Sequence, residues 1–467
     1  MEYRIEKDSM GEVKVPSRMY YGVQTQRAVN NFSISGRTLP AGMVWAAATI
    51  KKAAAIVHGE LGLIEKDVAQ AISSAADRVI AGELDEHFVV DIYQAGAGTS
   101  FHMNVNEVIA NLAEESLGGE LGKYERVSPN DHVNMGQSTN DVIPTTIRLA
   151  CLRSGQDLIL AVNELAGAFD ERAEKFGEIV TTGRTHLQDA VPIKLGQEFG
   201  GWAQTIRKQA RRLTTSFNRS GVLGIGGSAA GTGLNAHPEY QQRVVGVLRQ
   251  ITGFDLSADV NLFSAMSSMD VFVDIAARMK GTSLELLRIA NDLRLLSSGP
   301  TSGLAEIRLP ELQPGSSIMP GKVNPVIPEM TAMVAFQVAG YETTVSMAAQ
   351  AGQLQLNVMM PVIGYSLLEA TQILTNCTRH LNEKCVAGIE ADTERCRIFF
   401  ETSLGTATVL NPVIGYLNTA EVVKESIKTG RSLKKIILER GILTEDELEK
   451  ALDPERITVP GILKKED

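Results

Sequence analysis

At 467 residues and a formal charge of −10, the chain is long enough to bury a large core over roughly two to four domains, and its acidity argues against nucleic acid as the main partner. A hydrophobic share of 44% with 5% aromatic and 21% charged residues is that of an ordinary folded protein and excludes disorder. No window approaches the ~20 consecutive apolar residues of a membrane span.

The first segment, from Met1 to about Pro40, reads as turn-rich; it alternates charges and has no apolar stretch, so no secretory signal is expected. Helical patterns follow over Val44 to Leu61, Glu65 to Ala81 and Met103 to Leu117, the last entered through the glycine-rich link Gln94 to Ser100. A loop from Ser128 to Gln137 opens a long helix, Asp141 to Phe176, in which Leu149, Leu152, Leu158, Leu160, Leu165 and Phe169 recur at helical steps. Further helices are expected over Leu195 to Phe217, Glu239 to Thr252, Ala258 to Leu296, Pro325 to Gly352 and Pro361 to Ile389. The run Ala258 to Leu296 contains no proline and only Gly281, which exceeds the usual ~10–14-residue helix and implies a bundle of long rods. Beyond Cys396 the helices shorten. The division expected is therefore an N-terminal, mostly helical domain 1–137, a central long-helix domain 138–395 and a small helical domain 396–467, mainly α throughout, with strand-like alternation confined to short pieces near the ends.

Cys151, Cys377, Cys385 and Cys396 form no C-x-x-C pair and sit in apolar or helical surroundings, so reduced structural thiols in a cytoplasmic setting are expected. No His, Cys, Asp or Glu grouping has metal-ligand spacing, so neither metal nor cofactor is expected. The stretch Gly224 to Ala229 matches a loose dinucleotide fingerprint, but no strand-rich run feeds it, and a glycine-rich connection between helices is the better reading.

Four loops carry more polar chemistry than solvation requires: Gly96 to Ser100, Gln137 to Asp141, Gly183 to Asp189, and Gly315 to Met330. Each is placed at the end of a helical segment. Hydroxyl and amide side chains there can cap orphan N–H groups, or bind carboxylates at the positive end of the helix dipole. In the last loop, Gly315, Pro320, Gly321 and Pro325 forbid a continuous helix, which leaves backbone N–H groups free to meet an anion. Lys322 suits a carboxylate partner there, and Asn324 can share the same oxygen. Glu329 is either a helix N-terminal charge or a partner for an imidazolium, and His186 is either structural or tuned by its Thr, Gln and Asp neighbours.

With these loops, the chain resembles the aspartase/fumarase superfamily over essentially its whole length, the run Gly315 to Pro325 being similar to that superfamily's signature loop. The resemblance implies a three-domain, mainly α fold whose long central helices assemble across the subunits of a homotetramer, each active site being built from loops of three subunits. It implies proton removal beside a carboxylate through an aci-carboxylate dianion, then loss of a group from the neighbouring carbon to leave fumarate. On that basis Ser316 is the general base, with Lys322, His186 and Glu329 as its catalytic companions. Thr99, Ser138, Thr139, Asn140, Thr185 and Asn324 hold the C4 dicarboxylate, Ser317 is structural, and neither a membrane nor a nucleic acid is a partner.

Single positions lean toward the aspartase branch, which deaminates L-aspartate reversibly to fumarate and ammonia: Ser138-Thr139-Asn140-Asp141, Val326-Ile327-Pro328-Glu329, Ser128-Pro129-Asn130-Asp131, Gly96 to Ser100 and Gln353 to Val358. Class II fumarate hydratase is the alternative within the family, and a catalytically silent helical scaffold the alternative outside it. Phe101-His102 and Met360 depart from the aspartase pattern, and His102 is placed to alter the amine pocket.

Overall fold

The computed structural model describes residues 2–462; residues 463–467, the end of the third expected domain, lie outside them. The first forty residues hold more order than their turn-rich sequence suggests. Strands β1 (Tyr3–Asp8) and β2 (Gly11–Pro16) pair antiparallel, with Tyr3 opposite Pro16, and α1 (Val23–Asn31) follows. Arg4 supplies the organisation, donating to the carbonyls of Pro16, Met19 and Tyr21, while the buried Glu6 accepts from Val23 N–H. A guanidinium collecting carbonyls is a long-range device that no local periodicity shows.

Helices α2 (Ala41–Glu60), α3 (Lys66–Ile80) and α4 (Thr99–Ser116) then pack together. α2 is buried almost all round because its alanines leave room for neighbours on several faces. At Gly59 a Cβ would stand 2.8 Å from Ala69 Cβ, so glycine is what lets α3 come this close.

The chain continues through α5 (Thr139–Lys175), β3 (Val180–Thr185), β4 (Gln188–Lys194), α6 (Leu195–Asn218), β5 (Val222–Leu223) and α7 (Tyr240–Thr252). Next come β6 (Ser257–Ala258), α8 (Leu262–Ser267), α9 (Asp270–Leu296), β7 (Ile307–Arg308), α10 (Val326–Gln350), α11 (Met360–Lys384), β8 (Glu390–Ala391) and α12 (Thr393–Thr402). Five short helices end the described chain: α13 (Thr406–Ile414), α14 (Tyr416–Thr429), α15 (Leu433–Glu439), α16 (Glu445–Ala451) and α17 (Pro454–Ile457). The first four of them share a small core of Leu410, Val422, Ile436, Ile437 and Leu448.

Two expectations need correction. The run from Ala258 is not one helix: Asn261 accepts from Ser264 N–H and starts the short α8, and the backbone turns extended at Ser268 before α9 begins. Asn and Ser compete for backbone donors at helix starts, which here outweighs the absence of proline. Strand pairing is also not confined to the ends, since β3 and β4 form a hairpin in the middle of the chain.

The chain divides into two compact units, 1–160 with 209–283 and 334–376, and 161–208 with 284–333 and 377–467. Each boundary between them falls inside one of α5, α6, α9, α10 and α11, the longest helices of the chain. Within the second unit α5 and α6 meet through buried Phe169, Phe176, Phe199 and Trp202, Phe176 and Phe199 edge to face at 5.1 Å between centroids. Phe199→Ala is expected to cost roughly 3–5 kcal/mol, transfer plus cavity, and to lower the thermal unfolding midpoint. An unchanged midpoint would mean that this cluster does not hold the pair together.

Candidate active site

In the first unit the loops before α4 and α5 meet. Gly98, at φ +88°, lies against Ile143, 3.2 Å from where a Cβ would stand, so the Thr99 turn and the first turns of α5 are in contact. Ser138 caps α5: its Oγ accepts from Asn140 N–H, and its own N–H donates to Asp141 Oδ1 at 2.9 Å. The capping reading therefore holds for Ser138, and its hydroxyl proton stays available. Asn140 Nδ2 donates to Ala229 O at 2.7 Å, and Thr99 is exposed at the start of α4. The stretch Gln353 to Val358 joins this cluster, because Ala97 N–H donates to Val358 O at 2.7 Å. Met360, by contrast, is fully buried.

The glycine stretch before α7 does follow a strand, β5, which pairs parallel with β6 beyond α7, but over only two residues. Its Gly226 and Ser228 N–H groups both donate to Asp141 Oδ2, at 2.9 and 3.0 Å. An internal carboxylate thus occupies the place a phosphate would take, and the helix-connection reading stands.

Behind Thr139 lies a buried group centred on Lys51, inside the alanine-rich α2. Lys51 Nζ, fully buried, contacts His102 Nε2 at 2.7 Å and donates to Asn134 Oδ1 at 3.0 Å and Gln137 Oε1 at 2.9 Å. His102 Nδ1 lies 2.8 Å from Thr139 Oγ1. Burial draws the Lys51 pKa down to about 7, and the Asp141 carboxylate opposes it. Asp141 is itself raised to about 6 by burial, against its three backbone donors and Lys51. Nothing local to α2 marks Lys51, since the alanines around it read as ordinary core and Lys52 beside it is the same residue type.

His102 is held well below the ordinary imidazole value of 6.5 by burial and then by Lys51. His58 falls to about 4 by burial, then Lys51, then His237. Both folded values are depressed, so the unfolded chain binds more protons below pH 6.5. The stability they contribute is present above 6.5 and is lost as the pH falls toward the folded values, by up to ~1.4 kcal/mol per pH unit per group. Thermal midpoints measured from pH 6.5 toward 4 should fall less steeply in His102→Asn than in the parent. Equal slopes would remove His102 as a source.

In the second unit Gly183 to Asp189 is not a helix end but the β3–β4 hairpin, with His186 and Leu187 as its two-residue turn. Both have positive φ, 55° and 58°, the pattern of a type I′ turn, which matches strand twist and here is adopted without glycine. Histidine tolerates this region better than most residues, and the strain presents the imidazole at the tip, exposed together with Thr185. Arg184 anchors the hairpin from below, donating at 2.7 Å to Glu306, which is wholly buried and also bonded by Thr181. Glu306→Ala strands a largely buried guanidinium and is expected to cost roughly 3–5 kcal/mol of stability, checked by chemical denaturation.

The Gly315 loop stays non-helical up to Val326. Its neck is closed by Gly315 N–H to Lys322 O at 2.7 Å and Asn324 Nδ2 to Gly315 O at 2.8 Å. A Cβ at Gly315 would stand 2.6 Å from Lys322 O, so only glycine fits. Ser316 Oγ accepts from Ile318 N–H at 3.2 Å and Met319 N–H at 3.1 Å, while Ser317 is exposed and makes no such pair. Lys322 is exposed, and among the described residues its Nζ meets no carboxylate. Glu329 sits in the first turn of α10.

Of the anticipated residues, the chain brings together Thr99, Ser138, Thr139 and Asn140 in one cluster, and Ser316, Lys322 and Asn324 in one loop. Among the described residues no hydrogen bond or ion pair within the chain joins His186 to Glu329, Lys322 or Ser316.

The profile of a family described as "Lyase" matches residues 11–340, and that of "Fumarase C C-terminus" matches 407–459. The aspartate ammonia-lyase of Bacillus subtilis (strain 168) is 44% identical over 465 residues, 100% of this chain and 98% of the relative. A class II fumarate hydratase of Xylella fastidiosa (strain Temecula1) is 45% identical over 461 residues, covering 98% of this chain and 96% of the relative. Among solved structures, the fumarate lyase:delta crystallin of Brucella melitensis superposes with a TM-score of 0.96 at 46% identity, over 98% of this chain and 100% of the other. The class II fumarase of Schistosoma mansoni gives 0.94 at 35%, over 98% and 99%.

Proposed function

The chain belongs to the aspartase/fumarase superfamily of lyases, and from that premise we propose that it deaminates L-aspartate reversibly to fumarate and ammonia. The observation that carries the reading is Ser316 Oγ held by two backbone N–H groups, because an alkoxide base needs fixed donors for its charge. In the proposed reaction Ser316 takes the proton from the carbon beside one carboxylate, and the C–H electron pair moves into that carboxylate as an aci-carboxylate dianion. Lys322 balances the added charge, and the Asn324 amide, whose other N–H already closes the loop neck, donates to it. As the pair returns to form the double bond, the amine leaves the neighbouring carbon. Thr99, Ser138, Thr139, Asn140 and Thr185 hold the substrate, and His186 stands at the leaving group and second carboxylate, with Glu329 brought to it on assembly, since no bond joins the two within the described chain.

Water in place of ammonia is the second reading, favoured by the class II fumarate hydratase at 45% identity. Fumarate absorbance separates them: ammonium-dependent loss of fumarate supports the deaminase, and loss without ammonium supports the hydratase. No turnover with L-aspartate, L-malate or fumarate would overturn both.

We also propose a homotetramer whose subunits share each site, in the cytoplasm, with the three-domain division 1–137, 138–395 and 396–467. Assembly is supported by exposed apolar side chains on α10, where Met333, Phe336 and Met347 are 67%, 64% and 65% exposed. The four free, buried cysteines suit a reducing compartment.

A further inference from the structure

We propose that Lys51 and His102 form a positioning relay that fixes the Thr139 hydroxyl as a hydrogen-bond donor toward the substrate, so that Thr139 reads a carboxylate oxygen and not the ammonium. The inference rests on Thr139 as a substrate hydroxyl and deepens that reading.

The two amides beside Lys51 have fixed orientations. Gln137 Nε2 donates to Val133 O at 3.1 Å and Met135 O at 3.2 Å, so its Oε1 must be the atom facing Lys51. Asn134 Nδ2 donates to Gln137 O at 3.3 Å, which likewise turns Oδ1 toward Lys51. Both orientations are fixed by a second bond and not by choice. Below its pKa of about 7 Lys51 is an ammonium, with three protons and no lone pair to accept with. Two go to these oxygens, and the third has only His102 Nε2, at 2.7 Å.

That nitrogen must then be bare. The ring is neutral, its proton sits on Nδ1, and Nδ1–H donates to Thr139 Oγ1 at 2.8 Å. Thr139 therefore accepts from behind, and its own proton has no acceptor among the described residues. The residue is half-buried at the start of α5, beside Ser138 and Asn140, so the proton is free for a ligand. A carboxylate offers only acceptors and matches it, whereas an ammonium offers only donors and does not. With the other tautomer Thr139 would donate inward and present only lone pairs. Lys51 and His102 touch no substrate; they act through Thr139.

The test has two arms on the full-length enzyme. In the first, 15N-histidine labelling and NMR at pH 6, where Lys51 is protonated, with the His102 signals identified by their loss in His102→Asn, should show Nδ1 protonated and Nε2 bare. A protonated Nε2 overturns the relay whatever the kinetics. In the second, kcat/KM for L-aspartate is measured in a double-mutant cycle. Thr139→Ala should lower it roughly ten- to hundredfold, the loss of one hydrogen bond to a charged group. His102→Asn keeps an N–H for Thr139 and should stay within about threefold, while His102→Leu should lose about tenfold alone but little once Thr139 is alanine. Additive losses would make His102 merely structural and overturn the relay. Normal kinetics in Thr139→Ala would instead remove the substrate assignment the proposal rests on, a failure distinct from a wrong tautomer.

Discussion

Ser316→Ala is expected to lower kcat roughly a hundred- to ten-thousandfold, the range that a positioned general base supplies, with the fold intact. The hydroxyl sits in a loop and supports no core, since its two partners are the Ile318 and Met319 N–H groups of the same loop, and water can reach them once it is gone. Far-UV circular dichroism and the thermal midpoint should therefore match the parent, the change staying within about 0.5 kcal/mol. On the proposed mechanism the same two donors single out Ser316 as the base, since they lie close enough to stabilise an alkoxide, while among the described residues Ser317 next to it has no such pair. Ser317→Ala serves as the matched control and should keep most of the activity. Normal turnover in Ser316→Ala would move the base elsewhere and leave the amide pair without a catalytic purpose.

The long helices were legible because their period is local: α5, α6, α10 and α11 begin and end within a few residues of where apolar spacing and glycine or proline punctuation place them. Errors came where a contact far away in sequence decides the local form. The His186 hairpin lacks the Asn-Gly or Asp-Gly turn that announces such loops, and is secured by Glu306, more than a hundred residues on. The break at Ser268 lies in a run with no proline at all, and the N-terminal strands depend on Arg4.

For the site, residue types concentrated in loops pointed to segments that the chain gathers into a cluster at the start of α5 and into the Gly315 loop. They could not give hydrogen-bond direction. Ser138 caps a helix and Asp141 ties down a glycine loop, tasks that look identical in sequence to holding a ligand. The Lys51 group was the reverse case: chemistry lay inside a helix whose alanines read as ordinary core, and only its depth shows that the lysine needs partners.

Lys322→Ala carries the second large effect, and its pattern should differ from that of the base. The ammonium is exposed and meets no carboxylate among the described residues, so it is uncommitted before substrate arrives. Removing it costs the chain no internal contact, and the folded state should be as stable as the parent. What is lost is a charge-assisted bond to a carboxylate, which also answers the extra charge of the dianion. The substrate carboxylate is already anionic in the ground state, so part of the loss appears as a higher KM. The dianion carries one charge more, so a further part appears in kcat. Losses of about tenfold or more in each are expected, against Ser316→Ala, where kcat alone should fall. Lys322→Arg keeps the charge but spreads it over a planar fork on a loop shaped for a point charge, and should restore KM more fully than kcat. Steady-state kinetics of the three variants read this directly. A Lys322→Ala enzyme with raised KM but parental kcat would confine the lysine to binding and leave Asn324 and the backbone donors to stabilise the dianion.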